Sequence, residues 1–171
     1  MSADVEAIRL EGGVLAELYV RHAPDALRLA YLLTGDRALA EDLMQDAFVK
    51  LAGQLLHVRH PGGFHAYLRT TIVNLSRSHF RRAKVERRFA ERQTPPTALG
   101  PPNVGERERL RAALMALPER QRTAVVLRYY EDLSEAQTAE LMRCRTAAVR
   151  SLVARAMESL RAITGDDVDG E

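Results

Sequence analysis

The stretch LSEAQTAELMRCRTAAVRSLVARA, residues 133–156, decides the fold. Within it Ser134 and Gln137 have the spacing of a capping box, where a hydroxyl and an amide each satisfy a backbone N–H left open at a helix start. The helix they open is short and reaches Met142. Arg143-Cys144-Arg145 then supplies a turn, after which Val149, Leu152, Val153, Ala156 and Leu160 recur at the spacing of one buried helical face. A short capped helix, a tight turn and a longer amphipathic helix make a helix-turn-helix, the motif whose second helix enters the major groove of DNA.

The outward side of that second helix carries Thr146, Ala147, Arg150, Ser151, Ala154 and Arg155, with Arg145 just before it. Such positions should be small, polar or basic in a groove-reading helix. Arginine can hold a guanine edge through two hydrogen bonds or pair with a phosphate, and alanine can pack on a thymine methyl. The pattern leaves the choice between base and phosphate open for each arginine. The competing reading is that Arg143, Arg145, Arg150, Arg155 and Arg161 only solvate an amphipathic helix. The capped helix and turn ahead of them favour DNA contact.

Working toward the N-terminus, Leu110, Ala113, Leu114 and Leu117 predict a helix that Pro118 interrupts, and Ala124, Leu127 and the neighbouring valines predict the next. Before these, residues 93–105 hold four prolines and two glycines, QTPPTALGPPNVG, and cannot continue a helix. They read as a flexible interdomain linker. Upstream of it, Ala40, Leu43, Met44, Ala47, Phe48, Leu51 and Leu55 mark a helix that Gly35-Asp36 precedes as stop and N-cap. Leu15, Leu18, Tyr19, Leu29, Ala30 and Leu33 mark earlier helix, with Pro24 expected to break it or begin a new turn. Phe64, Leu68, Ile72 and Leu75 share a stripe after Pro61-Gly62-Gly63 and lead into a basic run. No strand-like alternation competes, so the expected fold class is all-α: two small helical domains, residues 1–92 and 106–165, joined by the linker 93–105 and followed by an acidic tail, 166–171.

Net charge is only +2, but it is segregated. The first fifty residues are dominated by acids, whereas Arg77, Arg81, Arg82, Lys84, Arg87, Arg88 and Arg92 face only Glu86 and Glu91 in the segment 77–92. This is the footprint of a surface that meets phosphates. Aromatics and amides are interleaved with it: Phe64, Tyr67, Asn74, His79 and Phe80 lie among Arg69, Arg77, Arg81 and Arg82. Phosphates attract the arginines and unstacked bases attract flat or hydrogen-bonding groups, so the segment suits capture of a displaced strand. Taken singly, Phe64 and Phe80 also fit a core. Asn74 is the sharper signal, because an amide in the apolar run Ile72-Val73-Asn74-Leu75 is costly to bury unpaired.

Other classes find little support. Hydrophobic residues make up 46% and charged residues 28%, and no apolar run reaches the roughly 18 residues of a membrane span. The first ten residues have neither the basic start nor the apolar core of a signal peptide, so a cytoplasmic location is expected. Cys144, the sole cysteine, excludes an internal disulfide or a cysteine-rich zinc site. No glycine-rich phosphate loop, Gly-x-Ser-x-Gly or His-Glu-x-x-His occurs, so no catalytic residue and no cofactor is assigned. His57, His60 and His65 lack an acidic or thiol companion for a metal site. Glu41, Asp42 and Asp46, on one side of a helix, fit a partner-facing acidic surface better than a cation site.

At this point the residues carry a resemblance. Thr34-Gly35-Asp36, Ala40-Glu41-Asp42-Leu43, Gln45, Phe48 and Leu51 resemble region 2.2 of the sigma-70 family. Phe64-x-x-Tyr67-Leu68, Asn74 and Arg81-Arg82 resemble regions 2.3 and 2.4, and Leu117-Pro118-x-x-Gln121-Arg122 through Arg155-Ala156 resembles region 4. The short linker in place of a third domain makes the chain similar to the extracytoplasmic-function (ECF, group IV) sigma factors, and among them to short actinobacterial members. The resemblance implies a non-enzymatic factor that joins core RNA polymerase and directs initiation at promoter DNA. The helix with Glu41, Asp42, Leu43, Gln45, Asp46, Phe48 and Leu51 would dock on the clamp helices of the β′ subunit. Phe64, Tyr67, Asn74, Arg77, His79, Phe80, Arg81 and Arg82 would serve the −10 element. Arg145, Thr146, Ala147, Arg150, Ser151 and Arg155 would serve the −35 element, on a domain that also rests on the β flap. An anti-sigma factor is a further candidate partner.

Three positions depart from the family pattern: Tyr67 where many relatives have tryptophan, Ala147-Ala148 for a common Gly-Thr, and Arg143 at a turn position often held by glycine. A left-handed backbone there would cost Arg143 about 1 kcal/mol. The rival from another class is a stand-alone regulator that binds a palindromic duplex as a dimer. A protein that merely occupies polymerase is a third reading. The segment Asn74 to Arg92 separates the sigma reading from both, since neither needs a second surface suited to single strands.

Overall fold

The structure, a computed structural model, describes residues 2–53, 63–89 and 105–164, with side chains from residue 13 onward. Regular structure among them is entirely helical: α1 (Ser2–Thr34), α2 (Arg37–Ala52), α3 (Phe64–Phe89), α4 (Glu106–Ala116), α5 (Glu119–Val125) continuing as a π-helical segment (Val126–Tyr130), α6 (Glu135–Met142) and α7 (Thr146–Thr164). The all-α expectation holds. Leu55, His57, His60, the linker to residue 104 and the acidic tail lie outside the described residues. The chain divides into two compact units, Met1–Ser76 and Arg77–Glu171.

In the first unit α1 runs straight through Pro24, against the expected break. Proline inside a helix costs about 3 kcal/mol through its missing N–H and ring clash. Pro24 sits on the exposed side, and beyond it Ala26, Leu29, Ala30 and Leu33 are all buried, which offsets that cost at roughly 1.5–3 kcal/mol per large side chain. The helix stops at Gly35, whose φ of 67° is a left-handed conformation suited to glycine. Asp36 then caps α2 by accepting a 3.0 Å hydrogen bond from the Leu39 amide. The stripe Ala40, Leu43, Met44, Ala47, Phe48 and Leu51 points inward as its spacing requires. Phe64, Leu68 and Ile72 of α3 are each at most 2% exposed, and the Phe64 ring lies 5.9 Å from that of Phe48.

In the second unit the buried stripe of α4 is Ala113 and Leu114, continued by Leu117. Leu110, expected on it, is 53% exposed, as α4 enters the core only from Ala113 onward. Ala124 through Leu127 are buried at four consecutive positions, which one face of an α-helix cannot achieve. Here the backbone widens into the π-helical turn, with Glu131 N–H reaching the Val126 carbonyl at 3.1 Å. The capping box forms as its spacing foretells. Ser134 Oγ accepts from Gln137 N–H at 3.1 Å, and Gln137 Oε1 accepts from Ser134 N–H at 2.8 Å. Arg143 does adopt the left-handed conformation at the turn, with φ 52° and ψ 52°. Val149 and Ala156 of α7 are fully buried, whereas Leu152, Val153 and Leu160 are half-buried.

Candidate nucleic-acid interface

The second helix of the helix-turn-helix, α7, presents its expected residues to solvent. Arg145, Ala147, Arg150, Ser151 and Arg155 are exposed and Thr146 is half-buried at the helix start. Val149 and Ala156 anchor the opposite face, so the exposed set is held at fixed helical spacing. Ser151 Oγ donates back to the Ala147 carbonyl at 3.2 Å, as serine within a helix often does. Arg150 is tied: its Nε donates to Glu135 Oε2 at 2.6 Å across the turn. Glu135 was not singled out by the sequence reading. Residues fifteen apart meet only once the turn has folded α7 back across α6.

Helix α3 changes character along its length. Its start is core, and its end, from Arg81 through Phe89, is exposed apart from half-buried Ala83. Phe64, expected to face a displaced strand, is wholly buried among His22, Phe48 and its own helix neighbours, so that expectation is corrected. An aromatic at the junction of three helices contributes most as core. Tyr67, one turn from Phe64, is 54% exposed and offers the open ring. Asn74 is half-buried, and its amide has no hydrogen-bond partner among the described residues. His79, Arg81 and Arg82 are exposed. Arg77 and Phe80 are half-buried and engaged within the second unit: Arg77 Nη2 donates to the Met142 carbonyl at 2.8 Å, and the Phe80 ring lies 5.2 Å from the Arg122 guanidinium.

On α2, Leu43, Phe48 and Leu51 are at most 6% exposed and belong to the core, which corrects their expected place on a docking surface. Their apolar bulk is what fixes the helix in position. Asp42, Gln45 and Asp46 are exposed and Glu41 is half-buried beside Arg37, whose Nε it accepts at 3.0 Å. The outer face of α2 is therefore acidic and polar.

Burial is the leading influence on two titratable groups. Arg122 is only 6% exposed; burial pulls its guanidinium below the ordinary arginine value, and its Nε has no hydrogen-bond partner. Its Nη1 reaches the Met115 sulfur at 3.5 Å, and the Phe80 ring face supplies a cation–π contact. His22 is held below the usual imidazole value, first by burial and then by His65 and Arg21, with Asp25 acting in the opposite sense. The His22 and His65 rings are 5.7 Å apart. Among the described residues no group of histidine, cysteine and acidic side chains has the arrangement of a metal site.

Comparison with known proteins matches two successive regions of the chain. Residues 18–86 fit the family model described as Sigma-70 region 2, and residues 107–160 fit Sigma-70, region 4. The chain is 33% identical over 148 residues to the RNA polymerase sigma-E factor of Streptomyces avermitilis, covering 85% of this chain and 82% of that one. It is 30% identical over 149 residues to the ECF RNA polymerase sigma factor SigM of Mycobacterium tuberculosis, covering 87% and 76%. In fold it is similar to the sigma factor RpoE solved in complex with the anti-sigma factor NepR from Bartonella quintana, with a TM-score of 0.73 over 89% of this chain and 97% of that one at 23% identity.

Proposed function

The chain belongs to the sigma-70 family, in its ECF group, and from that membership we propose that it joins core RNA polymerase and directs initiation at promoters bearing its own −10 and −35 elements. The observation that carries this reading is the presence of two basic surfaces on one chain: the exposed arginines of α7 on a helix-turn-helix, and the arginine-rich end of α3, the helix that also carries Tyr67 and Asn74. Duplex DNA at −35 and an opened strand at −10 need these two kinds of surface. A stand-alone regulator needs only the first, and the region 2 match over residues 18–86 leaves that alternative without footing.

In this reading residues 1–92 hold core polymerase and the −10 element, 93–105 link, and 106–165 read −35 and rest on the β flap. The β′ clamp helices meet the outer face of α2 through Glu41, Asp42, Gln45 and Asp46, which the buried Leu43, Phe48 and Leu51 hold in place. Tyr67, Asn74, Arg77, His79, Phe80, Arg81 and Arg82, all carried by α3, are the residues that would serve the −10 strand. Arg145, Thr146, Ala147, Arg150, Ser151 and Arg155 face the −35 duplex. Catalysis belongs to the polymerase, and the protein works in the cytoplasm, where the polymerase is; no described helix is long and apolar enough to cross a membrane. An anti-sigma factor is its proposed restraint.

The test is co-purification with core RNA polymerase, followed by run-off transcription from genomic fragments with and without the protein. A stable complex and start sites that depend on the added protein are expected. Retardation of duplex DNA without any affinity for core would overturn the reading in favour of the dimeric regulator.

A further inference from the structure

Arg150 is an exposed cation in the second turn of α7, and it does not wave freely. Its Nε–H is committed to Glu135 Oε2 at 2.6 Å, although the two side chains are 68% and 35% exposed. Glu135 is the first residue of α6, where a carboxylate is favoured by the open backbone N–H groups and positive end of the helix. The capping box directly before it fixes that helix start, and Arg128 donates to the Leu133 carbonyl in the loop leading to it. The backbone that carries the acceptor is thus fixed by its own helix start and does not depend on Arg150.

From this geometry we infer that Glu135 is a specificity-determining residue, which positions Arg150 to read a base edge in the −35 element rather than to grip a phosphate. The inference rests on the proposed reading of α7 as the −35 helix. With Nε occupied, the two terminal Nη groups remain, and these are the donors that take guanine O6 and N7 together. The carboxylate also opposes the alternative. It repels the phosphate backbone, so a swing of Arg150 toward a phosphate would bring an anion with it or break the pair. An exposed ion pair contributes little to folding. Its effect here is to remove rotamers that would serve any sequence equally well.

The experiment uses holoenzyme assembled from core polymerase and the full chain. It selects from a pool of promoter fragments randomised across the −35 element, and salt dependence is measured on the winning duplex and a scrambled one. Arg150→Ala should abolish the preference for guanine at one position. Glu135→Ala should weaken the preference at that same position by about two- to fivefold, while raising affinity for the scrambled duplex. Glu135→Gln, which keeps an oxygen acceptor for Nε, should retain most of the preference, a rescue that mere loss of negative charge would not give. Thermal unfolding of each variant verifies that α6 still forms. If Arg150→Ala changes the selected bases and Glu135→Ala does not, the positioning role is overturned while the reading of α7 stands. If Arg150→Ala selects as the parent does, Arg150 reads no base, and the inference falls together with that part of the reading.

Discussion

At the scale of single residues, two side chains sit where their own chemistry disfavours them, and each yields a measurable consequence. Arg143 closes α6 in the left-handed region, where the Cβ of any residue but glycine is crowded. Arg143→Gly should therefore raise the unfolding free energy by about 0.5–1 kcal/mol, seen as a higher Tm or denaturant midpoint, while removing one exposed cation from the turn before α7. An unchanged or lowered midpoint would mean that the arginine repays its strain through contacts in the turn. His22 binds its proton less readily folded than unfolded, because burial, His65 and Arg21 outweigh Asp25. Near and just below the ordinary imidazole value of about 6.5 the unfolded chain then binds more protons. Stability should be full above that value and fall as pH drops through it, and His22→Gln should flatten the fall. Thermal melts between about pH 8 and about pH 5.5 check this, and identical profiles for the two proteins would remove His22 as the cause.

At the scale of elements, periodicity makes α2, α6 and the buried face of α7 legible in the sequence, because caps and apolar stripes are local properties that tertiary packing leaves intact. What it could not give was set by packing between elements. Pro24 reads as a breaker, yet the helix around it persists because both flanks bury apolar surface. The π-helical segment arises where four consecutive positions must be buried at once, a demand made by neighbours rather than by sequence period. Phe64, Leu43, Phe48 and Leu51 carried the family likeness and were assigned to surfaces, but their apolar side chains make the core that holds those surfaces. The tie between Glu135 and Arg150 is not legible in the sequence because the two lie fifteen residues apart across a turn. Helix α3 joins the two cases, being core at one end and an exposed basic rod at the other. Asn74 stands at the change, half-buried with its amide unpaired by the described residues. Asn74→Ala should leave association with core polymerase intact and slow promoter opening about tenfold, the equivalent of one good hydrogen bond to a charged or splayed-out group. Fluorescence assays of core binding and of strand separation measure the two steps separately, and equal loss in both would contradict the assignment.

At the scale of the whole molecule the notable property is that charge is sorted by task while the net value stays near neutrality, at +2. The exposed face of α2 is acidic and polar through Asp42, Gln45 and Asp46, whereas the free end of α3 and the outer face of α7 are basic. A uniformly basic protein of this size would cling to any DNA before meeting polymerase. Sorting allows an acidic patch to guide encounter with a protein partner and basic patches to engage DNA once that partner is in place. The arrangement predicts separable defects. Asp46→Lys reverses a charge on an exposed position that no core residue needs, so stability should stay within about 0.5 kcal/mol of the parent. Association with core polymerase should slow, by roughly three- to tenfold at low salt and less at high salt, since screening shortens the reach of surface charge. Selection of promoter bases by whatever holoenzyme does form should be unchanged, because α7 is not touched. Stopped-flow association at two salt concentrations, paired with the same randomised promoter pool, reads both quantities. Unaltered association at low salt would show that α2 is not the polymerase-facing helix, and altered base selection would show that the charges are not sorted by task.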